Sequence, residues 1–150
     1  MFVTLAGRND DGSPIALVGD PKMAADILGE QTTPEMLIPY YDDVANRLST
    51  EGFKVVRNPL PLTYADFPSE KRRYWYFATA NNALVEVSNN KRVWLPTYGY
   101  GAQQHLRATD ARNKRIWEDL GFEVDLLTDF NPFASNLGAV HCITKYLQRG

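Results

Sequence analysis

The stretch TEGFKVVRNP, residues 50–59, recurs in altered form as DLGFEVDLLTD, residues 119–129. In both copies a glycine follows a helix-like segment, a phenylalanine comes next, and a largely apolar run begins immediately. Glycine is favoured where a helix ends, and apolar alternation predicts a strand. We therefore expect a helix to end at Gly52 and at Gly121, with the phenylalanine packed back on its last turn and a strand leaving at once.

The residues before the first copy predict two strands and a helix. FVTLAG (2–7) and IALVGD (15–20) are short apolar runs, and the Asp-Gly and Ser-Pro pairs between them favour a hairpin turn. Asp20 is a good helix N-cap, and Gly29 is a suitable stop. A second helix is predicted from about residues 33–34, and Pro39 is expected to kink or split it because proline lacks the amide hydrogen that a helix interior needs.

The residues before the second copy repeat this order. RYWYFATANNALVEVS (73–88) and RVWLPTYGYG (92–101) are β-rich runs that NNK (89–91) can join as a hairpin. Thr109 and Asp110 then predict the start of a helix. The strand and helix order of the first copy is thus expected again in the second.

The chain is therefore predicted to be a single partial α/β domain, residues 1–150, built from β-β-α-β modules. The first module covers residues 1–60 and the second residues 72–129, and a cysteine-bearing terminal segment covers residues 130–150. The proline-rich link 61–71 is expected to cross the surface between the modules, since each module alone would expose an apolar sheet face. A repeat of about seventy residues is long for a solenoid, which favours a radially repeated α/β architecture.

Composition excludes several classes of protein. The chain has 150 residues, 44% of them apolar, with a net charge of -2, which gives no long-range attraction to nucleic acid or to an anionic membrane. No apolar run approaches the roughly 20 residues that span a bilayer. The start, MFVTLAGRNDDG, lacks the pattern of a signal peptide. With one cysteine there is no internal disulfide, which fits a reducing compartment, and we expect a cytoplasmic protein.

Cys142, the sole cysteine, is the candidate nucleophile. A lone cysteine is most often a small buried apolar residue. Here Gly138 and Ala139 leave space for a ligand to approach the backbone, and the loop-like FASNLGA (133–139) leads into CITKYL (142–147), which alternates as a strand. That places the thiol at a junction of elements, where backbone amides can stabilise a thiolate. No other residue of the chain competes for this role.

The two histidines are expected to have other roles. Neighbouring residues on a strand point to opposite faces, so His141 should diverge from Cys142 and hold the loop rather than act as a base. His105 precedes a predicted helix as a surface or capping residue. Two separated histidines and one cysteine fall short of the ligands of a zinc site, so no metal is expected. The pairs at 10–11 and 42–43 are interpreted as solvated aspartates.

A family resemblance rests on NNALVEVSNNKRVWLPTYG, TDARNKRIWEDLGFEVDLLTD and GAVHCITK, all within residues 72–146. These runs give a strand bearing Asn, a strand ending in Pro with a Tyr-Gly turn, a helix opened by Asp, and a terminal His-Cys-x-Thr. In this order the chain resembles the carboxy-terminal half of the agmatine deiminase and peptidylarginine deiminase-like family, part of the guanidine-modifying (pentein) superfamily. The first module carries the resemblance less fully, through MFVTLAG and VGDP.

The resemblance implies a partial pentein-type propeller, about two and a half of five modules around a central site. It implies that the Cys142 thiolate attacks a guanidinium carbon and forms a covalent amidino-thioether, which water hydrolyses without any cofactor. A histidine would serve as acid and base, and carboxylates would hold the planar cation. By position in the motif, His141 is not that histidine. Agmatine, free arginine and peptidyl arginine all remain open as substrates, as do deiminase, dihydrolase and amidinotransferase chemistry.

The family's His-x-Asp pair and its earlier acidic residues have no counterpart in this sequence. We therefore expect a carboxy-terminal fragment of a cysteine-dependent hydrolase that is inactive as an isolated chain, either a truncation or a natural short protein. Open sheet edges would lead it to form a homo-oligomer or to associate with a missing amino-terminal portion. The alternative is a non-catalytic pentein-like module that binds a partner protein.

Overall fold

The computed structural model describes residues 1–88, 90–136 and 138–144, which form a mixed α/β fold with three small sheets. The strands are β1 (Val3–Arg8), β2 (Pro14–Asp20), β3 (Lys54–Pro59), β4 (Leu62–Phe67), β5 (Arg72–Phe77), β6 (Leu84–Glu86), β7 (Arg92–Pro96) and β8 (Glu123–Leu127). The helices are α1 (Pro21–Leu28), α2 (Ile38–Thr50), α3 (Arg107–Asp119), α4 (Asn131–Ala134) and α5 (Val140–Ile143).

Two of the sheets share one topology. In the first, β1 pairs antiparallel with β2, and β2 pairs parallel with β3 after the crossover through α1 and α2. In the third, β6 pairs antiparallel with β7, and β7 pairs parallel with β8 after the crossover through α3. Both therefore have the β-β-α-β order that the repeated stretch predicts.

The glycine of each copy and the phenylalanine of the second copy behave as the sequence predicts. Gly52 and Gly121 have φ of 86° and 82°, a left-handed conformation that L side chains rarely adopt, and each lies just past the end of a helix. The ring of Phe122 contacts that of Trp117 edge-on at 4.9 Å, so it does pack back on α3. Asp20 also caps α1 as predicted, since Oδ1 accepts from the amides of Lys22 and Met23.

The link 61–71 differs from its expected form. It contains β4, which pairs antiparallel with β5 along its whole length to form the second sheet. The run 73–88 is therefore not one strand of the second module. Its first part belongs to this separate hairpin, and only residues 84–86 join the third sheet. The pairing is confined to neighbouring segments, so neither strand needs the β-β-α-β units as a partner.

One predicted helix start was wrong, whereas the other was close. The helix predicted from residues 33–34, kinked or split at Pro39, begins as a 3₁₀ turn, Glu35–Leu37, and continues directly as α2 from Ile38. Pro39 lies in the first turn of α2, where a missing amide hydrogen removes no helical bond. Asp110 does not open α3, which starts at Arg107 as a continuation of a 3₁₀ turn. The Asp110 carboxylate instead accepts hydrogen bonds from the amides of Tyr98 and Gly99, in the loop before α3.

The strand predicted at CITKYL was also wrong over the part that the structure describes. Residues 140–143 form the single turn α5, and Thr144 returns to extended backbone. Residues 145–150 lie outside the described residues. Helical geometry here means that His141 and Cys142 are separated by about 100° around the turn rather than on opposite faces of a sheet.

The two β-β-α-β units share one core. Ile15 and Leu17 of β2 and Val93 and Leu95 of β7 belong to a single buried cluster, together with the fully buried Trp117. Close to this cluster, Asn58 Nδ2 donates to Asn113 Oδ1 at 2.7 Å, a buried bond that joins β3 to α3. A second cluster underlies the cysteine and consists of Tyr76, Ala78, Tyr98, Leu106, Phe130, Ala134, Ala139 and Val140.

Candidate active site

The thiol of Cys142 is exposed on an anchored turn. Ala139 and Val140 are 1% and 2% exposed and pack in the second cluster, whereas Cys142 is an exposed, free cysteine. The amide of Cys142 donates to Ala139 O at 3.0 Å, which closes the turn. The apolar residues before the cysteine therefore fix α5 to the protein while its sulfur stays accessible.

Asn82 holds this turn by two separate bonds. Its side-chain Nδ2 donates to Cys142 Sγ at 3.0 Å, and its carbonyl oxygen accepts from the His141 amide at 3.2 Å. Asn82 is 4% exposed, so its amide has little freedom to turn elsewhere. Its Oδ1 is buried and has no hydrogen-bond partner among the described residues. The sulfur therefore accepts a hydrogen bond from a buried amide, in addition to any contact with solvent.

The loop that carries Asn82 is fastened to the first strand. Asn81 Nδ2 donates to Phe2 O at 2.6 Å, and Thr4 Oγ1 donates to Asn81 O. Thr79 Oγ1 donates to Met1 O at 2.7 Å. Through these bonds the position of Asn82 depends on β1 of the other β-β-α-β unit, so the site is assembled from both units.

The pKa of Cys142 is lowered from its ordinary value. The main cause is the hydrogen bond from Asn82, and a bond from the Ala139 backbone adds to it, while partial burial opposes both. A hydrogen bond to the ionised form favours that form, and the thiolate is the nucleophilic state of cysteine. The geometry therefore favours a more nucleophilic sulfur than an isolated cysteine would have.

Tyr98 supports α5 from beneath. Its hydroxyl donates to Thr79 O at 3.0 Å, and its ring packs in the cluster that contains Val140. The amides of Tyr98 and Gly99 both donate to Asp110 Oδ2, at 2.9 and 2.7 Å. Burial raises the pKa of Asp110, and these two amides oppose that rise. Asp110 thus fixes the Tyr98 loop instead of capping a helix.

Neither histidine contacts the sulfur. His141 and His105 are both exposed, and in the described part of the chain no hydrogen bond joins either imidazole to Sγ. His141 is hydrogen-bonded to Asn82 through its backbone amide, a bond that any residue type could make. The general base that a cysteine hydrolase requires is therefore not among the groups that the structure places at the thiol.

The aspartate pair at 42–43 takes part in ion pairs. Asp42 bonds Lys22 and Arg57, and the exposed Asp43 pairs with Arg47 on the same helix. The described residues contain no group of three or more histidine, cysteine, aspartate or glutamate side chains arranged to hold a metal ion. Over the same residues, no helix is long and apolar enough to cross a membrane.

A groove of about 920 Å³ lies between β1 and β6, and His141 belongs to its lining. Its polar members are Thr4, Arg8, Lys91 and His141, and no aspartate or glutamate belongs to its lining. Cys142 does not belong to the lining, although His141, the residue before it in the chain, does. A Cβ built on Gly138 would make only an ordinary contact, 3.7 Å from Phe133 O.

A comparison of the chain with the models of protein families and with curated proteins found no match. The site must therefore be interpreted from its own geometry together with the resemblance in the motifs.

Two of the site's residues were not identified from the sequence as parts of the site. Asn82 lies in the quoted run NNALVEVS, and the signal for it is a pair of asparagines inside an otherwise apolar stretch. A buried amide needs partners, which indicates a structural or functional bond. Tyr98 gives no such signal, because its role depends on a loop whose path Asp110 sets.

Proposed function

We propose that this chain is the cysteine-bearing, carboxy-terminal portion of a guanidine-modifying hydrolase, with Cys142 as its nucleophile. The observation that carries the proposal is the exposed sulfur held at 3.0 Å by the buried Asn82 amide, with a lowered pKa. The shared β-β-α-β order of two sheets is what a partial five-module propeller requires. The remaining modules would come from polypeptide outside this chain.

The proposed reaction has two stages. The thiolate adds to the guanidinium carbon, the bond from that carbon to one nitrogen breaks, and the nitrogen leaves as ammonia or an amine after taking up a proton. This leaves an amidino-thioether on Cys142. Water then adds to the same carbon, the carbon–sulfur bond breaks, and the thiolate returns as a ureido product departs. Splitting one displacement into two lowers the barrier of each.

The helpers of this reaction are assigned to the missing portion. A histidine must take and give the proton, and carboxylates must hold the cation, whereas the groove that His141 lines has Arg8 and Lys91 and no acidic residue in its lining. A cysteine without a base reacts slowly even when its pKa is lowered. The isolated chain is accordingly proposed to be inactive, with association through open sheet edges or through the missing portion.

The experiment compares the chain alone with the chain joined to its amino-terminal polypeptide, using agmatine, arginine and an arginine peptide. We expect ureido product only from the joined protein, and none when it carries Cys142→Ser. A matched control is Thr144→Ser, a conservative change at the end of the same turn, which should keep activity. Turnover that survives Cys142→Ser would refute the assignment.

A second candidate is a non-catalytic binding module, and the cationic groove favours it. A pocket meant for a guanidinium should present carboxylates, and this lining presents two cations instead. In that case Cys142→Ser would leave partner binding unchanged. The Cys142→Ser variant therefore distinguishes the two proposals, because turnover requires the sulfur and partner binding does not.

A further inference from the structure

The two ends of the groove are set by different segments. At one end, Thr4 and His141 are tied to the Asn81–Asn82 backbone by hydrogen bonds. At the other end, a Cβ on Gly7 would lie 3.5 Å from Val87, which brings Arg8 close to the start of the β6–β7 connection. Glu86 pairs with Arg92, so Lys91 also lies at the start of that connection. Arg8 and Lys91 therefore lie toward the same end of the groove.

The walls between these ends are apolar and partly open to solvent. They include Val3, Leu5, Val85 and Val87, and Leu5 and Val87 are 60% and 48% exposed. From Thr4 to Arg8, β1 spans about 13 Å at about 3.3 Å per residue. A ligand that fills this length is an extended segment of about four residues rather than one amino acid.

The two cations are not neutralised by a carboxylate. Arg8 Nη1 donates to the Gly12 carbonyl at 2.7 Å, and Lys91 Nζ lies 5.7 Å from the Phe122 ring. Neither takes part in an ion pair within the described part of the chain. The lining of the groove therefore carries these two cationic side chains and no carboxylate.

The first strand offers backbone groups to such a ligand. Among the described strands β1 pairs only with β2, and residues of β1 line the groove. Extended peptides commonly add to an exposed edge by main-chain hydrogen bonds, with pockets that receive alternate side chains. Apolar side chains would contact the walls, and carboxylates would reach the two cations.

We propose that this groove is a docking site for an extended acidic peptide segment of a partner protein, which adds beside β1 with its carboxylates at Arg8 and Lys91. The proposal goes beyond the thiol chemistry and does not depend on it. The Cys142→Ser variant should therefore bind the peptide as the unchanged chain does, even if the hydrolase assignment fails.

The test measures fluorescence anisotropy of a fluorescein-labelled peptide, Asp-Val-Asp-Val-Ala, mixed with the intact chain. A second peptide carries lysines in place of the aspartates. We expect the acidic peptide alone to bind, and the double variant Arg8→Gln with Lys91→Gln to weaken it by about ten-fold or more. The matched control removes two charges from the exposed side of α3, Arg112→Gln with Arg115→Gln, and should bind normally.

Equal binding of the two peptides, or equal loss in the groove variant and the control, would overturn the proposal. Should the groove variant fail to fold, a salt series on the unchanged chain replaces it. Binding must then weaken between about 50 and 300 mM salt, because exposed charges are screened over this range. Salt-independent binding would also overturn it, as would a dimer of the chain that blocks the groove against the peptide.

Discussion

Replacing Asn82 by alanine should change how the Cys142 thiol responds to pH. The substitution removes the Nδ2 donor 3.0 Å from Sγ but keeps the Asn82 carbonyl that accepts from the His141 amide. The turn should therefore remain in place while the sulfur loses its main stabilising bond. The bond favours the thiolate, so the pKa of Cys142 should rise in the variant.

The size of the effect follows from the strength of this bond at an exposed atom. A hydrogen bond at such a site is worth about 1 kcal/mol, which is about a five-fold change in the ratio of thiolate to thiol. A thiolate of higher pKa is also intrinsically more nucleophilic, and this recovers about half of the loss on a logarithmic scale. At pH below both pKa values, alkylation of the variant should thus be about two-fold slower.

The assay follows iodoacetamide alkylation of Cys142 by mass spectrometry from about pH 6 to about pH 10. We expect the midpoint of the profile to move to higher pH and the two profiles to cross, with the variant at least as fast in alkali. Asn46→Ala, at an exposed position of α2, is the control and should reproduce the unchanged profile. An unshifted midpoint in a folded Asn82→Ala protein would refute the role given to this amide.

Three further changes test the scaffold and its charges. Gly99→Ala would place a Cβ 2.6 Å from the backbone nitrogen of the first residue of α3, so urea denaturation should show a loss of about 2 kcal/mol in the free energy of unfolding. The control Gly138→Ala should change this free energy by no more than about 0.5 kcal/mol. Equal effects of the two substitutions would contradict the packing. Tyr98→Phe leaves a buried carbonyl without its donor and should lower the free energy of unfolding by about 1–3 kcal/mol, and no loss would contradict this bond. The pKa of Asp42 is lowered, first by the hydrogen bond from Lys22, so the stabilisation by this carboxylate is present above its unfolded pKa and disappears as pH falls through its folded pKa. Asp42→Asn should therefore lower the free energy of unfolding in urea by about 0.5 kcal/mol at pH 7 and not change it near pH 2. A loss that does not depend on pH would contradict this.

The parts of the fold that the sequence predicts are those with local causes. Gly52 and Gly121 end helices because their left-handed φ is accessible to glycine, and Asp20 caps α1 through its own side chain. These signals lie within a few residues of the structure they produce. The β-β-α-β order could therefore be recovered from the two copies of one short stretch.

The parts that the sequence does not predict depend on distant partners. Asp110 has the residue type of a helix cap, but the preceding 3₁₀ turn runs directly into α3, and its carboxylate binds the amides of Tyr98 and Gly99 instead. Likewise, whether 142–144 extend or coil depends on how Ala139 and Val140 pack in the second cluster. Tertiary packing decides such short segments more strongly than their local preference.

The residues of the candidate site also differ in whether their roles have local causes or depend on distant partners. Cys142 could be selected from the sequence because it is the sole thiol in a recognisable motif, but its donor Asn82 is 60 residues away in the chain. The exposure of the sulfur above buried neighbours is likewise a product of the folded cluster. A sequence can indicate the nucleophile in this way, whereas the donor that lowers its pKa is identified only from the folded structure.

The central claim is that the Cys142 sulfur attacks a planar cation, and its most direct test is labelling with 2-chloroacetamidine. The protein is the chain joined to the amino-terminal portion that the proposal requires, and 2-chloroacetamide serves as the neutral reagent of nearly the same size. The proposal predicts a single amidine adduct on Cys142, formed much faster than the neutral adduct and suppressed by a guanidino substrate. Labelling that is equal for the two reagents, or an adduct that never forms on Cys142, would contradict it.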